Sequence, residues 1–166
     1  DFPPIWHTKC SLLTDEKTLH KVLVSITDEL QNRKQILRTA GVANIDEYNR
    51  SAEKKLYRIV FACDEIAEVL DKTGLSKQQK DEILKIESEL SIIARQGRAF
   101  GIHLVLATQR PDAAILNGQI RNNIDTRICG RADNVLSQII LDNTDASDKI
   151  AKSSQGRFLT NSGKIF

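Results

Sequence analysis

Methionine is absent from the 166 residues, so the chain has no initiator residue and we expect it to be a piece of a longer protein. Cysteine is scarce as well. The three cysteines (Cys10, Cys63 and Cys129) lie far apart and form no C-x-x-C pair, which argues against a disulfide framework or a zinc site and favours reduced thiols. The longest apolar runs have five or six residues, too few to cross a membrane or to form a secretory signal.

A strong net charge of either sign is also missing. The chain carries 24 basic and 22 acidic side chains, and its 40% hydrophobic and 28% charged residues are typical of a globular domain. The distribution along the chain is less even, because no glutamate follows Glu89 and residues 91–166 carry 10 basic against 6 acidic side chains. This C-terminal excess suits an anionic partner without requiring one.

Helical and strand-like segments alternate along the chain. A first helix is predicted from an N-cap at Thr14 to a left-handed C-terminal residue at Gly41, and a long helix after Ser76. The remaining predicted elements are a polar helix (46–56), apolar strands (57–63 and 102–107), a third strand (126–129), a helix (135–141) and a terminal strand pair (157–159 with 165–166). The apolar strands are expected to be buried on both faces of a mainly parallel sheet, with helices on both faces.

The first apolar strand ends in two adjacent acids, Asp64 and Glu65. In open α/β sheets, binding sites form outside the carboxyl ends of the strands. An apolar run followed by Asp-Glu is typical of a Walker B motif, in which the first carboxylate holds Mg²⁺, usually through water, and the second polarises the water that attacks the γ-phosphate of ATP. The two acids could instead cap a following helix, and the pattern alone leaves both interpretations open.

The second apolar strand is followed by a neutral amide, Gln109. At this end of a strand, a glutamine could connect the γ-phosphate or the attacking water to a moving loop, as a nucleotide sensor does. The alternative is a polar side chain that hydrogen-bonds a turn. His103 within this strand is expected to be a buried histidine with its hydrogen bonds satisfied.

Several stretches resemble one protein family in the same order. They are GVANIDEYN (41–49), IVFACDE (59–65), ARQGRAFGIHLVLATQRP (94–111), IRNNIDTRI (120–128), ILD (140–142) and GRF (156–158). These motifs resemble the FtsK/SpoIIIE family of RecA-like motor ATPases, and they cover nearly the whole chain. The resemblance implies a RecA-like P-loop NTPase fold of the α/β class, incomplete at its N-terminus, with residues 1–166 forming a single partial motor domain.

The resemblance also implies a role for Arg98. In the family, the arginine at the matching position reaches across a subunit boundary toward the ATP of the neighbour, where a guanidinium supplied in trans neutralises charge on the transferred phosphoryl group. Gly97 and Gly101 favour an exposed, turned backbone around this arginine. The alternative is a cation that complements the dipole at the C-terminal end of a helix.

Two departures limit the resemblance. The glycine-rich phosphate loop G-x-x-x-x-G-K-[ST] is absent, so the chain alone is expected to bind nucleotide poorly and to hydrolyse none. The connection 72–89 looks longer and more polar than in the chromosome-segregation members.

The resemblance leaves two kinds of cargo open. Arg110 matches a basic position that faces the central channel in DNA-pumping members, and Arg121 and Arg131 are further candidates for phosphate contacts, or else solvated surface charges. Where DNA translocases carry a lysine and an arginine before the ILD helix, this chain has Asp133-Asn134 and Gln138. That loss of charge leaves room for protein cargo.

The resemblance therefore implies a parent that self-associates into a hexameric ring and uses ATP and Mg²⁺ to pump double-stranded DNA without sequence preference, in chromosome segregation or conjugative transfer. Two alternatives stay open: a type VII secretion motor that moves a secreted protein, and a degenerate module that keeps the fold for assembly alone. A cytoplasmic location is expected, with any membrane anchor of the parent at the inner face of the bacterial membrane and outside this chain.

Overall fold

A computed structural model describes residues 16–112 and 118–166. Thr14, the predicted N-cap of the first helix, lies outside these residues, and so does Cys10. The elements in chain order are α1 (Glu16–Ala40), α2 (Ile45–Ser51), β1 (Ile59–Cys63), α3 (Ile66–Leu70), α4 (Lys77–Gln96), a 3₁₀ turn (Arg98–Phe100), β2 (Ile102–Leu106), α5 (Gly118–Arg121), β3 (Ile128–Cys129), α6 (Asn134–Leu141), α7 (Asp145–Lys149) and β4 (Leu159–Thr160).

The long helices α1 and α4 form a layer on one face of the β1–β2 sheet. Apolar residues at helical spacing on both helices meet the inward-facing strand residues in one core, whose buried members include Leu23, Leu30, Ile83, Ile86, Leu90, Phe61 and Ile102. Burial of each such side chain contributes about 1.5–3 kcal/mol relative to its exposure. A hydrogen bond of 2.6 Å from the Thr27 hydroxyl to the Glu89 carboxylate also joins the two helices.

Local signals determine where these helices begin and end. Ser76 and Gln79 form a reciprocal capping box at the start of α4, which confirms the helix predicted after Ser76 and makes most of the 72–89 connection helical. Gly41 has a φ of +69° after α1, as predicted for a left-handed C-terminal residue. Helix α2 stops at Ser51, short of the predicted 56, because the Asn49 side chain hydrogen-bonds the Leu56 backbone N–H and carbonyl, each at 2.9 Å.

The strands β1 and β2 pair in parallel, with Ile59 opposite Ile102 and Cys63 opposite Leu106. Their alternate residues point away from the helices, and Val60 and Val105 are 61% and 55% exposed. The prediction that both strands are buried on both faces is therefore wrong, since the described helices cover one face of this sheet.

His103 lies on the uncovered face as well. Its Nε2 is 3.1 Å from an Arg58 guanidinium nitrogen, and the side chain is partly exposed. The prediction of a buried core histidine is therefore wrong, for the same reason. Partial burial and the positive charges of Arg58 and Arg98 lower the pKa of His103 below its usual range.

A second, smaller core follows in the C-terminal part of the chain. It contains Cys129, Leu141, Ala146, Ile150 and Leu159. The third predicted strand is reduced to β3, which pairs antiparallel with β4 in a sheet separate from that of β1 and β2. The predicted terminal strand pair is confirmed, because Phe158 and Phe166 exchange backbone hydrogen bonds of 2.9 and 3.0 Å. Within the described residues, no helix has the length and apolarity that a membrane span requires.

Candidate functional site

The parallel pairing brings the carboxyl ends of β1 and β2 together, and with them most of the residues predicted to bind nucleotide. Asp64 and Glu65 follow β1, and Thr108, Gln109 and Arg110 follow β2. We call these five residues the carboxyl edge. The backbone N–H of Ala107 donates to the Cys63 carbonyl at 2.8 Å, which extends the pairing of the strands up to this edge.

Glu65 is the centre of the carboxyl edge. Its Oε1 accepts hydrogen bonds from the Thr108 hydroxyl and, at 3.2 Å, from the Ala67 backbone N–H, which makes Glu65 the N-cap of α3. Its Oε2 accepts a bond of 2.8 Å from the Gln109 backbone N–H. Glu65 thus caps a helix, as one of its two sequence interpretations predicted, and also contacts the turn that carries Gln109. Its action on an attacking water stays a prediction.

The same contacts determine the protonation state of Glu65. Hydrogen bonds from Thr108, Gln109 and Ala67, together with the nearby positive charge of Arg110, hold the pKa of this carboxyl below its usual range despite slight burial. Glu65 is therefore ionised at neutral pH. A carboxylate offers about four lone-pair positions, so these three bonds leave acceptor capacity for a water molecule.

Asp64 and Gln109 flank Glu65 with side chains exposed to solvent. A carboxylate oxygen in this position suits Mg²⁺, which typically keeps several waters and takes one or two carboxylates beside substrate phosphates. Among residues 16–112 and 118–166, no group of three or more histidine, cysteine or acidic side chains could hold a metal by itself. The donor set at the carboxyl edge therefore fits an ion shared with a nucleotide rather than a cage made of protein side chains.

Arg98 lies at the opposite end of the sheet, in the 3₁₀ turn that precedes β2. We call this turn, with Gly97 and Gly101 on either side, the amino edge. A five-residue strand spans roughly 15 Å, so Arg98 is about one strand length from Glu65 of the same chain. Its side chain is 83% exposed and pairs with the carboxylate of Asp125, which is 67% exposed. The structure thus separates Arg98 from the other predicted catalytic residues.

The backbone of the amino edge is tightly held although Arg98 is exposed. Gly101 has a φ of +71°, and a Cβ there would collide with Cδ1 of Ile45. A Cβ on Gly97 would lie 2.6 Å from the Ile102 carbonyl oxygen. Arg33, which is 4% exposed, donates to the Phe100 carbonyl at 2.8 Å and connects the turn to α1. These contacts allow little variation in the position of the Arg98 backbone.

The three arginines predicted to contact DNA occupy separate positions. Arg110 belongs to the carboxyl edge, Arg121 ends α5, and Arg131 follows β3. Arg110 and Arg131 are exposed, whereas Arg121 is partly buried and its Nε has no hydrogen-bond partner among the described residues. The positive charge of Arg121 contributes, after that of Arg127, to the lowered pKa of Asp142.

Sequence reasoning missed three residues that the structure places beside predicted ones. They are Thr108 beside Glu65, Asp125 beside Arg98, and Arg33 beneath the turn that carries Arg98. Thr108 directly precedes Gln109 and could have been singled out from the sequence, because a hydroxyl at the end of a strand can donate a hydrogen bond to a carboxylate. Asp125 is 27 residues from Arg98, and no local pattern connects the two.

Two clefts flank the amino edge. One, of about 290 Å³, is lined by Arg98, His103, Asn123 and Asp125 among others. The other, of about 430 Å³, lies between α1, Val42 and Phe100 and contains none of the predicted site residues.

No protein-family model matches the chain. The chain is similar to "DNA translocase FtsK" of Chlorobaculum tepidum, with 34% identity over 133 residues, which is 79% of this chain and 15% of that protein. A solved structure of the pCW3 conjugation coupling protein TcpA in its monomer form with ATPγS superposes with a TM-score of 0.83 at 41% identity, over 89% of this chain and 42% of that one.

The chain belongs to the FtsK/SpoIIIE family. The motifs predicted to carry the resemblance are thus confirmed at the level of the family, and the fold is the RecA-like α/β fold expected for its members. EssC (ATPases 2 and 3) from Geobacillus thermodenitrificans is similar in fold, with a TM-score of 0.65 at 23% identity over 92% of this chain and 27% of that one. The chain spans between about a seventh and less than half of the length of these three proteins.

Proposed function

We propose that this chain is part of an ATP-driven ring motor that moves double-stranded DNA. It would contribute the Walker B acids, the sensor glutamine and the arginine that acts in trans. In this proposal Asp64 holds Mg²⁺ through water, Glu65 orients the attacking water, Gln109 senses the γ-phosphate and Arg98 acts on the nucleotide of the neighbouring protomer. The observation that carries the proposal is the separation of the carboxyl edge from the amino edge by the length of the sheet.

This separation favours catalysis between subunits. A guanidinium about one strand length from Glu65 cannot reach a phosphate held beside Glu65 in the same chain. In a head-to-tail ring, by contrast, each protomer presents one surface to the opposite surface of the next. Such packing brings Arg98 of one protomer to the carboxyl edge of its neighbour. The hexameric ring is part of the proposal.

At the carboxyl edge, Glu65 is suited to orient a water molecule rather than to act as a strong base. The low pKa of Glu65 keeps the carboxylate ionised, so it accepts a hydrogen bond from a water molecule but is a weak proton acceptor. This suits phosphoryl transfer through a loose transition state, which asks for positioning and charge stabilisation rather than proton abstraction. Mg²⁺, when bound, would neutralise negative charge on the phosphate oxygens.

The chain alone is expected to hydrolyse no ATP, because no G-x-x-x-x-G-K-[ST] loop is present in its 166 residues to hold the β- and γ-phosphates. Hydrolysis is therefore proposed for a motor that contains this chain together with a phosphate loop, called the full motor below. ATP turnover by the purified 166-residue chain above that of its Glu65→Gln variant would contradict this part of the proposal.

DNA is the proposed cargo because the relatives at 34% and 41% identity are named a DNA translocase and a conjugation coupling protein. Between residues 91 and 131 the chain has six arginines against two aspartates. Arg98 and Arg127 pair with acids of the same chain, and the exposed Arg110 and Arg131 carry charge that could meet phosphates. Contacts of this kind depend on salt and not on base sequence.

The test measures binding of the full motor to a duplex of mixed sequence over a range of salt concentrations. Substitution of Arg110, Arg121 and Arg131 by alanine should flatten the log–log salt dependence by about 0.9 for each arginine that neutralises a phosphate. Alanine at the exposed Lys54, Lys55 and Lys80 removes the same charge elsewhere and should leave the slope unchanged. No duplex affinity at low salt, together with ATPase stimulated by a secreted peptide, would replace DNA with protein as the cargo.

A further inference from the structure

The partner of Arg98 has a backbone that is held independently of the ion pair. The Asp125 carbonyl accepts a hydrogen bond of 2.9 Å from the Asn161 side chain, which follows β4. Asn161 also bonds the Arg127 backbone twice, accepting at 3.2 Å and donating at 3.0 Å. Asp125 thus lies between the two cores, because Ile124 before it packs against the first core and Asn161 holds its carbonyl from the segment that follows β4 in the second.

The ion pair occupies only part of the Arg98 guanidinium. One terminal nitrogen contacts one oxygen of Asp125. An arginine carries five N–H donors in a planar fork, so a single bond to the carboxylate leaves most donors available for another anion. A long, exposed arginine otherwise has considerable rotational freedom, which it loses when it binds.

We propose that Asp125 is the positioning residue for Arg98, holding the guanidinium in the orientation in which its remaining donors meet the phosphate of the neighbouring protomer. This inference rests on the proposed function of Arg98 and adds the residue that restricts the Arg98 side chain before it binds the phosphate. Restricting the side chain before binding reduces the entropy that is lost when the phosphate is engaged. Because Ile124 and Asn161 hold the backbone on either side of the Asp125 carboxylate, the ion pair gives the Arg98 side chain a fixed partner.

The first experiment observes the side chain itself. In the 166-residue chain labelled with ¹⁵N, heteronuclear relaxation of the Arg98 Nε–H group should show greater mobility in Asp125→Asn than in wild type. Asp125→Glu, which keeps the charge, should restore most of the restriction. Equal mobility in wild type and Asp125→Asn would overturn the proposal, and an otherwise unchanged amide spectrum shows that the variant is folded.

The second experiment measures steady-state hydrolysis by the full motor. Asp125→Asn should lower kcat about fivefold with little change in KM, because the exposed ion pair is weak and acts on the transition state through Arg98. Asp125→Glu should recover activity, and Asp145→Asn, which breaks the solvent-accessible Asp145–Lys149 pair on α7, should have no effect.

The outcomes distinguish this inference from the proposed function. Loss of hydrolysis in Arg98→Ala with unchanged kcat in Asp125→Asn would overturn the role of Asp125 and leave that of Arg98 intact. Normal hydrolysis in Arg98→Ala would overturn the proposed function itself. A higher kcat in Asp125→Asn would also overturn the inference, since it would mean that the carboxylate competes with the phosphate.

Discussion

The two edges of the parallel sheet hold their functional side chains in opposite ways. At the carboxyl edge, three hydrogen bonds surround the Glu65 carboxylate. At the amino edge, two glycines and Arg33 constrain the backbone, while the Arg98 side chain is 83% exposed with one ion-pair partner. One edge fixes a side chain, and the other fixes a backbone and leaves the side chain accessible.

This difference corresponds to the two roles proposed for the edges. A group that orients water beside the nucleotide of its own chain benefits from a network that holds it in place. A group that must meet the nucleotide of another chain has to remain accessible until the two surfaces come together. Strength of local packing is therefore no guide to function here, because a side chain that is 83% exposed is the one proposed to act across the interface.

Mixing two variants in one ring tests whether the carboxyl edge of one protomer and the amino edge of its neighbour form a single active site. In the full motor, Arg98→Ala should lower hydrolysis by about 10³–10⁵, and Glu65→Gln should bind ATP but hardly hydrolyse it. A mixture of the two variants should regain activity, because some interfaces then combine an intact Glu65 with an intact Arg98. Arg95→Ala, one turn earlier and also exposed, is the matched control and should be active. A mixture no more active than either variant would contradict the trans geometry.

Gly101→Ala tests the tight backbone of the amino edge. The added Cβ meets Ile45 and the φ of +71° is strained for alanine, so the free energy of unfolding should fall by about 1–3 kcal/mol. Gly74→Ala has the same φ with open space around the Cβ and should cost less. Urea denaturation of the 166-residue chain compares the two variants, and equal losses would show that Ile45 does not restrict the turn.

Thr108→Val tests the network of the carboxyl edge and is expected to have the smallest effect, about 1 kcal/mol at neutral pH. Loss of the hydroxyl donor should raise the pKa of Glu65, measured by carboxyl ¹³C NMR titration, whereas Thr108→Ser should keep it low.

The pH dependence of stability follows from the same shift. Because the pKa of Glu65 is lower in the folded chain, its stabilisation is present above the unfolded pKa of about 4.3 and is lost as the pH falls through the folded value. The stability difference between wild type and Thr108→Val should therefore shrink below about pH 4. A difference that is constant with pH would mean that the hydroxyl does not act through the Glu65 charge.

Local patterns were sufficient to predict most of the elements. The capping residue Ser76, the left-handed Gly41 and the apolar runs that end at Cys63 and Leu106 each act through near neighbours in the chain, and the structure places helices and strands there. The Asp-Glu pair after β1 and Gln109 after β2 were each predicted at the carboxyl end of a strand, which is where parallel strands bring a site together.

Long-range packing decided the rest. Strand composition predicted burial on both faces, but which face is covered depends on where α1 and α4 pack, and Val60 and Val105 are left exposed. The partners of the two predicted groups, Thr108 for Glu65 and Asp125 for Arg98, lie 43 and 27 residues away along the chain. By itself the sequence determined the longer helices, the positions of the strands and the residue types at the site, but not the short helices α3, α5 and α7. Only the tertiary structure decided which side chains touch, because contacts between distant residues form when packed elements bring them together, and no local pattern encodes that distance.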